Sequence, residues 1–248
     1  MHFASFLVDV WHWLTAGDQW RGEDGVPHLL ANHLRVSISS LVVSAAIAVP
    51  LGSWLGHRRV GGTVAINIAN IGRAIPIYAL LVLAVQIFGI TSPTGFGWTG
   101  SFVAFVPLVL LGIPPMLTNS YIGVRDVGDE LVDAARGMGL SEGEILRGVE
   151  IPVAMPLIMA GIRTAMVGII ATATLASFTG VDTLATPIYI GLSTDDHVAV
   201  FGGALLVALL AVVADLALAL VQRSVVSPGL RARRTRRVRG TVAATPAA

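Results

Sequence analysis

Five stretches of the sequence are long and apolar enough to cross a lipid bilayer as helices. A helix needs about 20 apolar residues to span the hydrocarbon core of a membrane. The stretches run from about Val36 to Trp54, Val64 to Ile90, Phe102 to Tyr121, Val153 to Phe178 and Val198 to Val221. Only 12% of the 248 residues are charged, roughly half the share of a soluble domain. The sequence therefore predicts an all-α polytopic membrane protein with five transmembrane helices.

The stretches divide the chain into three regions. Residues 1–35 form an N-terminal segment, whose tryptophans indicate either an amphipathic helix at the membrane interface or a frayed terminus. Residues 36–222 form the transmembrane domain, and residues 223–248 a basic tail that we expect to be disordered. Many small residues, as in MAGIRTAMVGIIATATLAS (159–177), let helices approach closely and favour a packed bundle.

The arginines indicate the orientation of the bundle. Most of them lie after the first and third stretches and in the C-terminal tail, whereas only Arg21 and Arg35 lie on the other side. The positive-inside rule then places the N-terminus outside and the C-terminus in the cytosol of a cell-membrane protein. The tail LRARRTRRVRG (230–240) follows the last stretch directly, so we interpret it as contacting anionic lipid rather than nucleic acid.

One polar loop, residues 126–152 between the third and fourth stretches, is placed in the cytosol by these charges. It predicts two short helices, the first capped by Asp126 and ended by Gly137 and Gly139, the second begun by a capping box at Ser141 and Glu144. Small Ala134 and Ala135 would let the first helix fit the groove of a partner. The apolar residues of this helix, Leu131, Val132, Ala135 and Met138, could instead pack only on the chain's own bundle. The residues alone do not decide between a partner and the bundle.

The spacing within this loop resembles a known motif. Asp133-Ala134-Ala135, then Gly139, then Val149-Glu150-Ile151-Pro152 is similar to the EAA loop of binding-protein-dependent ABC importer permeases, which is Glu-Ala-Ala, three residues, Gly, nine residues, Ile-x-Leu-Pro. Asp133, Val149 and Ile151 are conservative departures. The resemblance implies a cytosolic coupling helix that docks into an ATPase subunit. The implied coupling residues are Glu130, Asp133, Ala134, Ala135, Gly139, Val149, Ile151 and Pro152.

A closer resemblance, to the osmoprotectant branch of that family, covers most of the chain. It is carried by NIANIGRAIP (67–76), PPMLTNSYIGVR (114–125), DAARGMG (133–139), PLIMAGIRTA (156–165) and TATLASFTG (172–180). The segment GVDTLATPIYIGL (180–192) has fewer glycines than that branch usually has. The branch implies import of glycine betaine, choline, carnitine or proline betaine by alternating access. An amino acid or another small solute stays open as the substrate.

The resemblance also implies the partners. They are an ATPase subunit that binds ATP and magnesium, a second permease subunit that is either another copy or a relative, and an extracytoplasmic substrate-binding protein. The chain itself has no Walker loop of the form GxxxxGK[ST], and we expect it to hold no cofactor and to catalyse no reaction. Aromatic residues in the stretches are too sparse for a permanent high-affinity cage around a quaternary ammonium group.

Three charges lie inside the apolar stretches, namely Arg73, Arg163 and Asp215. A charge at bilayer depth costs about 2.5–3.5 kcal/mol on insertion scales, so it usually faces a cavity or a partner. Because Arg163 and Asp215 lie at similar depths, we predict that Arg163 or Arg73 pairs with Asp215. The charges either line the translocation pathway or join helices to one another.

Other classes of protein fit the residues less well. The chain has no cysteine, and its six histidines are scattered, so a metal site is not expected. An ATP-independent secondary transporter or a membrane-embedded enzyme is the remaining alternative. Against it stands the lack of paired intramembrane carboxylates and of HExxH or GxSxG motifs.

Overall fold

The computed structural model of the chain describes residues 3–22, 24–74, 76–88 and 102–226. Short 3-10 helices occur at Gly17–Trp20 and Thr174–Thr179. The α-helices are α1 (Phe3–Thr15), α2 (Val26–Arg58), α3 (Gly62–Ala74), α4 (Ile77–Phe88), α5 (Phe102–Arg125), α6 (Asp129–Gly137), α7 (Glu142–Ile145), α8 (Ile151–Ala173), α9 (Thr186–Thr194) and α10 (His197–Val225). All regular structure in these residues is helical, and the all-α prediction is confirmed.

Four helices within the described residues are long and apolar enough to cross a membrane. They are Val26–Arg58, Val103–Arg125, Glu142–Thr179 and His197–Val225. The first begins at Val26 rather than near Val36, inside the segment that was assigned to the N-terminal region. The predicted basic tail lies outside the described residues from position 227 onward.

The second predicted span is divided into two shorter helices, α3 and α4, on either side of Pro76. Proline has no N–H to donate and disfavours helical backbone angles at the residue before it, so the helix ends at Ala74 and starts again at Ile77. Neither half alone has the length of a span. The count of five membrane crossings stays a prediction.

The core of the bundle is built from α2, α5 and α8, with α5 packed against the other two. Val36 of α2, Leu108 of α5 and Ile169 of α8 are buried together near one end of the bundle. A second layer joins Ala48, Met116 and Ala165 from the same three helices. Helix α10 packs on the outside of α8, where Met166 and Ile170 contact Val207.

Small residues bring α2 and α5 into close contact. A Cβ atom added to Gly52 would lie 2.6 Å from the carbonyl oxygen of Leu117, and one added to Gly56 would lie 2.7 Å from that of Tyr121. On α5, a Cβ at Gly112 would lie 2.6 Å from Ser44 Oγ, which itself donates to Val109 O at 2.8 Å. Glycine is required at these positions because any side chain would push the two backbones apart.

Helix α1 packs against α10. The rings of Phe6 and Phe201 meet edge to face at 5.5 Å, and a Cβ at Gly202 would collide with the ring of Trp13. The tryptophan-containing N-terminal segment is therefore an ordered helix rather than a frayed end.

Candidate functional site

The predicted loop forms a helical hairpin between α5 and α8, which we call the coupling hairpin (residues 126–152). The Asp126 N–H donates to Ile122 O at 2.9 Å, so Asp126 still completes the last turn of α5. Helix α6 begins at Asp129 with Gly128 as its N-cap. The prediction that Asp126 caps this helix is wrong, because its backbone belongs to the preceding helix.

The tip of the hairpin depends on a glycine conformation. Helix α6 ends at Gly137, as predicted, and Gly139 has φ +86°. The Gly139 N–H donates to Arg136 O at 3.0 Å and the Leu140 N–H to Ala135 O at 3.3 Å. These bonds satisfy the last carbonyls of α6 and reverse the chain, which is the usual role of a left-handed glycine after a helix. A Cβ at Gly139 would meet nothing within 4 Å in this chain.

The second arm starts at the predicted capping box. The Glu144 carboxylate accepts hydrogen bonds from the Ser141 N–H at 2.8 Å and from the Ser141 hydroxyl at 2.6 Å. The sequence predicted a separate short helix here. The arm is instead the first part of one long helix that continues to Thr179. Its turn Leu146–Glu150 is wider than an α-turn, with the Ile151 N–H donating five residues back to Leu146 O. This wider turn accommodates Pro152, whose ring would otherwise crowd the carbonyl four residues earlier.

Helix α6 has two different faces. Val132 and Ala135 are buried against Ile145 of the second arm. Leu131 and Ala134 of α6, and Met138 directly after it, are exposed on a neighbouring face, with Met138 74% exposed. One apolar stripe packs within the hairpin and a second is exposed, so docking of this second stripe on a partner stays a prediction. Of the two alanines, only Ala134 can meet a partner.

The other predicted coupling residues are distributed around these faces. Glu130 and Asp133 are exposed on α6. Val149 is half-buried in the core of the hairpin, and Ile151 packs on Ala154 and Ile158 of α8. Pro152 is exposed. Val149 and Ile151 therefore join the hairpin to the bundle, and α6 presents the exposed residues.

A buried hydrogen bond joins the hairpin to the end of α2. His57 Nδ1 lies 2.6 Å from Glu150 Oε2, and both side chains are more than nine-tenths buried. His57 Nε2 lies 3.3 Å from Glu142 Oε2 at the start of the second arm. In the part of the chain that the structure describes, no three His, Asp or Glu side chains group as metal ligands. The role of His57 here is to hold two carboxylates of the hairpin against α2.

Two arginines extend this network at the surface. Arg59, directly after α2, pairs with Asp129 at the start of α6, and this bond raises the pKa of Arg59. Arg136 lies 2.9 Å from Asp133 and 3.0 Å from Glu142, and its hydrogen bond to Glu142 raises the pKa of Arg136. Both arginines thus stay charged and link α2, α6 and α7, although each exposed pair alone contributes little.

Arg163 and Asp215 meet between α8 and α10. Arg163 Nε donates to Asp215 Oδ1 at 2.8 Å and Arg163 Nη2 to Asp215 Oδ2 at 2.7 Å, which is a bidentate pair. Gln222 accepts from Arg163 Nη1 at 3.2 Å and donates to Pro156 O at 3.2 Å. Of the two arginines predicted as partners for Asp215, the structure pairs Arg163. The side chain of Arg73 lies outside the described residues.

A family model described as "Binding-protein-dependent transport system inner membrane component" matches residues 48–227, which is most of the chain. The chain belongs to this family. It is accordingly a multi-pass membrane protein and a permease subunit of a transporter.

Curated relatives agree with this assignment. The chain is 36% identical over 199 residues to the glycine betaine/carnitine/choline transport system permease protein OpuCB of Bacillus subtilis, covering 80% of this chain and 88% of that one. It is 35% identical to the choline transport system permease protein OpuBB of the same organism, with the same coverage. These relatives belong to the branch that the sequence motifs resembled.

The fold agrees as well. A chain of the inward-facing MetNI methionine ABC transporter superposes with a TM-score of 0.69 at 20% identity, covering 82% of this chain and 96% of that one. The permease therefore has the fold of type I ABC importer permeases.

Some residues of the hairpin network were not found from the sequence. The sequence patterns assigned no role to His57, one of the six scattered histidines, and Glu150 was named only as the variable position of the motif. A partner 93 residues away leaves no mark in local spacing. The one available indication was a carboxylate, Glu150, between the apolar residues Val149 and Ile151.

Proposed function

We propose that the permease is the membrane-spanning subunit of an ATP-driven importer for compatible solutes that carry a quaternary ammonium group. Glycine betaine, choline, carnitine and proline betaine are the candidates. The similarity to the Bacillus subtilis permeases named for glycine betaine, carnitine and choline supports this substrate class. Transport would occur by alternating access, with no bond chemistry in this chain.

The observation that carries the coupling role is the open apolar face of α6. Leu131, Ala134 and Met138 lie at helical spacing on an exposed face beside the one that packs in the hairpin core. An exposed apolar stripe flanked by the charged Glu130 and Asp133 is typical of a surface that a partner covers. The partner we propose is the ATPase subunit, which would bind ATP and magnesium.

The hairpin is built to transmit force from such a partner. Its second arm is continuous with α8 through Ile151, and the His57 and Arg59 pairs attach it to the end of α2. Movement of α6 would therefore be carried into two of the three core helices at once. In contrast, a solvated connector would bend at its ends and transmit little.

The assembly we propose has three further features. The hairpin and the C-terminus are cytosolic and the N-terminus lies outside. A second permease subunit, identical or related, completes the pathway, because symmetric pairing is the common way to build a conduit from small bundles. A separate extracytoplasmic protein delivers the solute.

The intramembrane charges have a structural role in this proposal. The bidentate Arg163–Asp215 pair would join α10 to α8 so that the two helices move together. Arg73 remains a candidate for lining the pathway.

Copurification tests the docking surface. The tagged permease is purified from its native membrane as wild type, as Met138→Asp and as Val60→Asp, and the accompanying ATPase subunit is quantified. Val60 is the matched control, because it is 62% exposed at the same end of the bundle but outside α6. We expect Met138→Asp to lose the ATPase roughly tenfold, as for an interface weakened by about 1.4 kcal/mol, and Val60→Asp to retain it. Full retention by Met138→Asp would contradict the docking role.

Uptake tests the substrate. The permease, its ATPase and its binding protein are reconstituted in vesicles and supplied with labelled glycine betaine or methionine. We expect ATP-dependent uptake of betaine only. Uptake of methionine but not of betaine would contradict the proposed solute class and leave the proposed coupling to the ATPase unaffected. Uptake without the ATPase subunit would contradict both the solute class and the coupling.

A further inference from the structure

Three aromatic side chains meet at the end of the bundle opposite to the coupling hairpin. Tyr78 of α4, Phe178 of the 3-10 helix Thr174–Thr179 and Tyr189 of α9 come from separate segments. The ring centroids of Tyr78 and Phe178 are 5.7 Å apart at an interplanar angle of 74°, and those of Phe178 and Tyr189 are 3.9 Å apart at 88°. We call these three residues the aromatic cluster.

The cluster rests on the packed core. Leu81, one turn after Tyr78, and Ala176, two residues before Phe178, are buried together with Val181. The segments that present the rings are therefore anchored, and the rings themselves need not be buried for the fold. Tyr78 and Phe178 are indeed about half exposed, at 53% and 52%.

The angles between the rings leave room for a ligand. Rings that meet nearly at right angles form the walls of a corner, whereas a parallel stack would cover its own faces. In addition, the hydroxyl of Tyr189 is buried and has no hydrogen-bond partner among the described residues. A buried polar group without a partner is costly, and it commonly indicates a missing ligand or water.

The charge of the surrounding segment favours a cation. Residues 174–196 contain Asp182, Asp195 and Asp196 and no arginine or lysine. Within this segment, a positively charged group therefore meets no fixed positive charge. The faces of aromatic rings attract such a group through their quadrupole.

We infer that the aromatic cluster is a binding site for the quaternary ammonium group of the transported solute. The methyl groups of the cation would contact the Tyr78 and Phe178 rings, and the Tyr189 hydroxyl would bond the solute's oxygen. This inference rests on the proposed function for its biological meaning. The site has three walls, one of them a tyrosine engaged by its hydroxyl, so it is a weak site suited to a solute that must be released.

Direct binding tests the site without the ATPase. The purified permease is titrated with choline, and binding is followed by saturation transfer to the choline methyl protons. The variants are Phe178→Leu and Tyr78→Leu, with Phe178→Trp as the aromatic replacement. Phe201→Leu is the matched control, since Phe201 is 43% exposed in the separate Phe6–Phe201 pair.

We expect the two cluster leucine variants to weaken choline binding by about threefold to thirtyfold, and Phe178→Trp and Phe201→Leu to bind like wild type. The neutral isostere 3,3-dimethylbutanol should compete poorly, because it has the shape of choline without the charge. Unchanged binding in both leucine variants, or equal competition by the isostere, would overturn the inference. Tyr78→Leu keeps the test decisive if Phe178→Leu does not fold, because the Tyr78 ring is largely outside the core.

The same variants separate this inference from the proposed function. If the reconstituted wild-type complex imports no quaternary ammonium solute but choline binding still depends on Phe178 and Tyr78, the proposed substrate is wrong and the site stands. If betaine is imported normally and the leucine variants bind choline and transport like wild type, the proposed function stands and the site is wrong.

Discussion

His57 Nδ1 lies 2.6 Å from Glu150 Oε2, although 93 residues separate them in the chain. The pair joins the last turn of α2 to the wide turn that leads into α8. Because His57 also lies 3.3 Å from Glu142, the second arm of the coupling hairpin is held near both of its ends. The hairpin is therefore part of the bundle rather than a flexible connection between two spans.

Removing the His57 imidazole should destabilise the permease. His57→Ala leaves the Glu150 carboxylate buried without its partner, which costs about 1–3 kcal/mol. His57→Asn, which keeps an N–H donor, should lose less. Thermal unfolding in detergent measures the difference, and equal midpoints for wild type and His57→Ala would contradict the role given to this pair.

The conformation at Gly139 should decide whether the hairpin works. Its φ of +86° is strained for a β-branched residue by about 1–3 kcal/mol but tolerated by asparagine. We expect Gly139→Val to reduce ATP-coupled uptake and Gly139→Asn to retain most of it, since the chain itself leaves space for a side chain. Normal uptake by Gly139→Val would show that the turn can form otherwise.

The Arg163–Asp215 pair should be more sensitive to the loss of one charge than of both. Asp215→Leu alone leaves Arg163 between α8 and α10 without its carboxylate partner, and Arg163→Leu alone leaves Asp215 without its cation. Each single variant should lower the unfolding temperature by several degrees, and the double leucine variant should recover part of that loss. A double variant as unstable as the sum of the singles would mean that the two charges do not act on one another.

The close packing of α2 on α5 predicts different stabilities for two Gly→Ala variants. Gly52→Ala places a methyl group 2.6 Å from Leu117 O and should destabilise the permease by about 1–3 kcal/mol. Gly168→Ala, in α8, meets nothing within 4 Å and should be neutral or stabilising through helix propensity. Denaturation midpoints of the two variants provide the comparison, and similar values would contradict the packing described here.

The sequence predicted those features that depend on local spacing. Apolar length gave the all-α class and the approximate positions of the spans, and the motif from Asp133 to Pro152 gave the hairpin and its family. The wrong predictions also came from local patterns. Asp126 was predicted to cap α6, although its N–H closes the last turn of α5 and Gly128 is the N-cap. The break at Pro76 divides the second span into α3 and α4.

What the sequence alone determined is the all-α class and the approximate positions of the long apolar helices, because each helix satisfies its own backbone and needs only enough apolar residues to lie in lipid. What the tertiary structure decided is which distant groups meet: His57 with Glu150, Arg163 with Asp215, and Tyr78 with Phe178 and Tyr189. These contacts depend on how whole helices are oriented and packed, and that orientation is settled by many small contacts together rather than by any residue's neighbours in the chain.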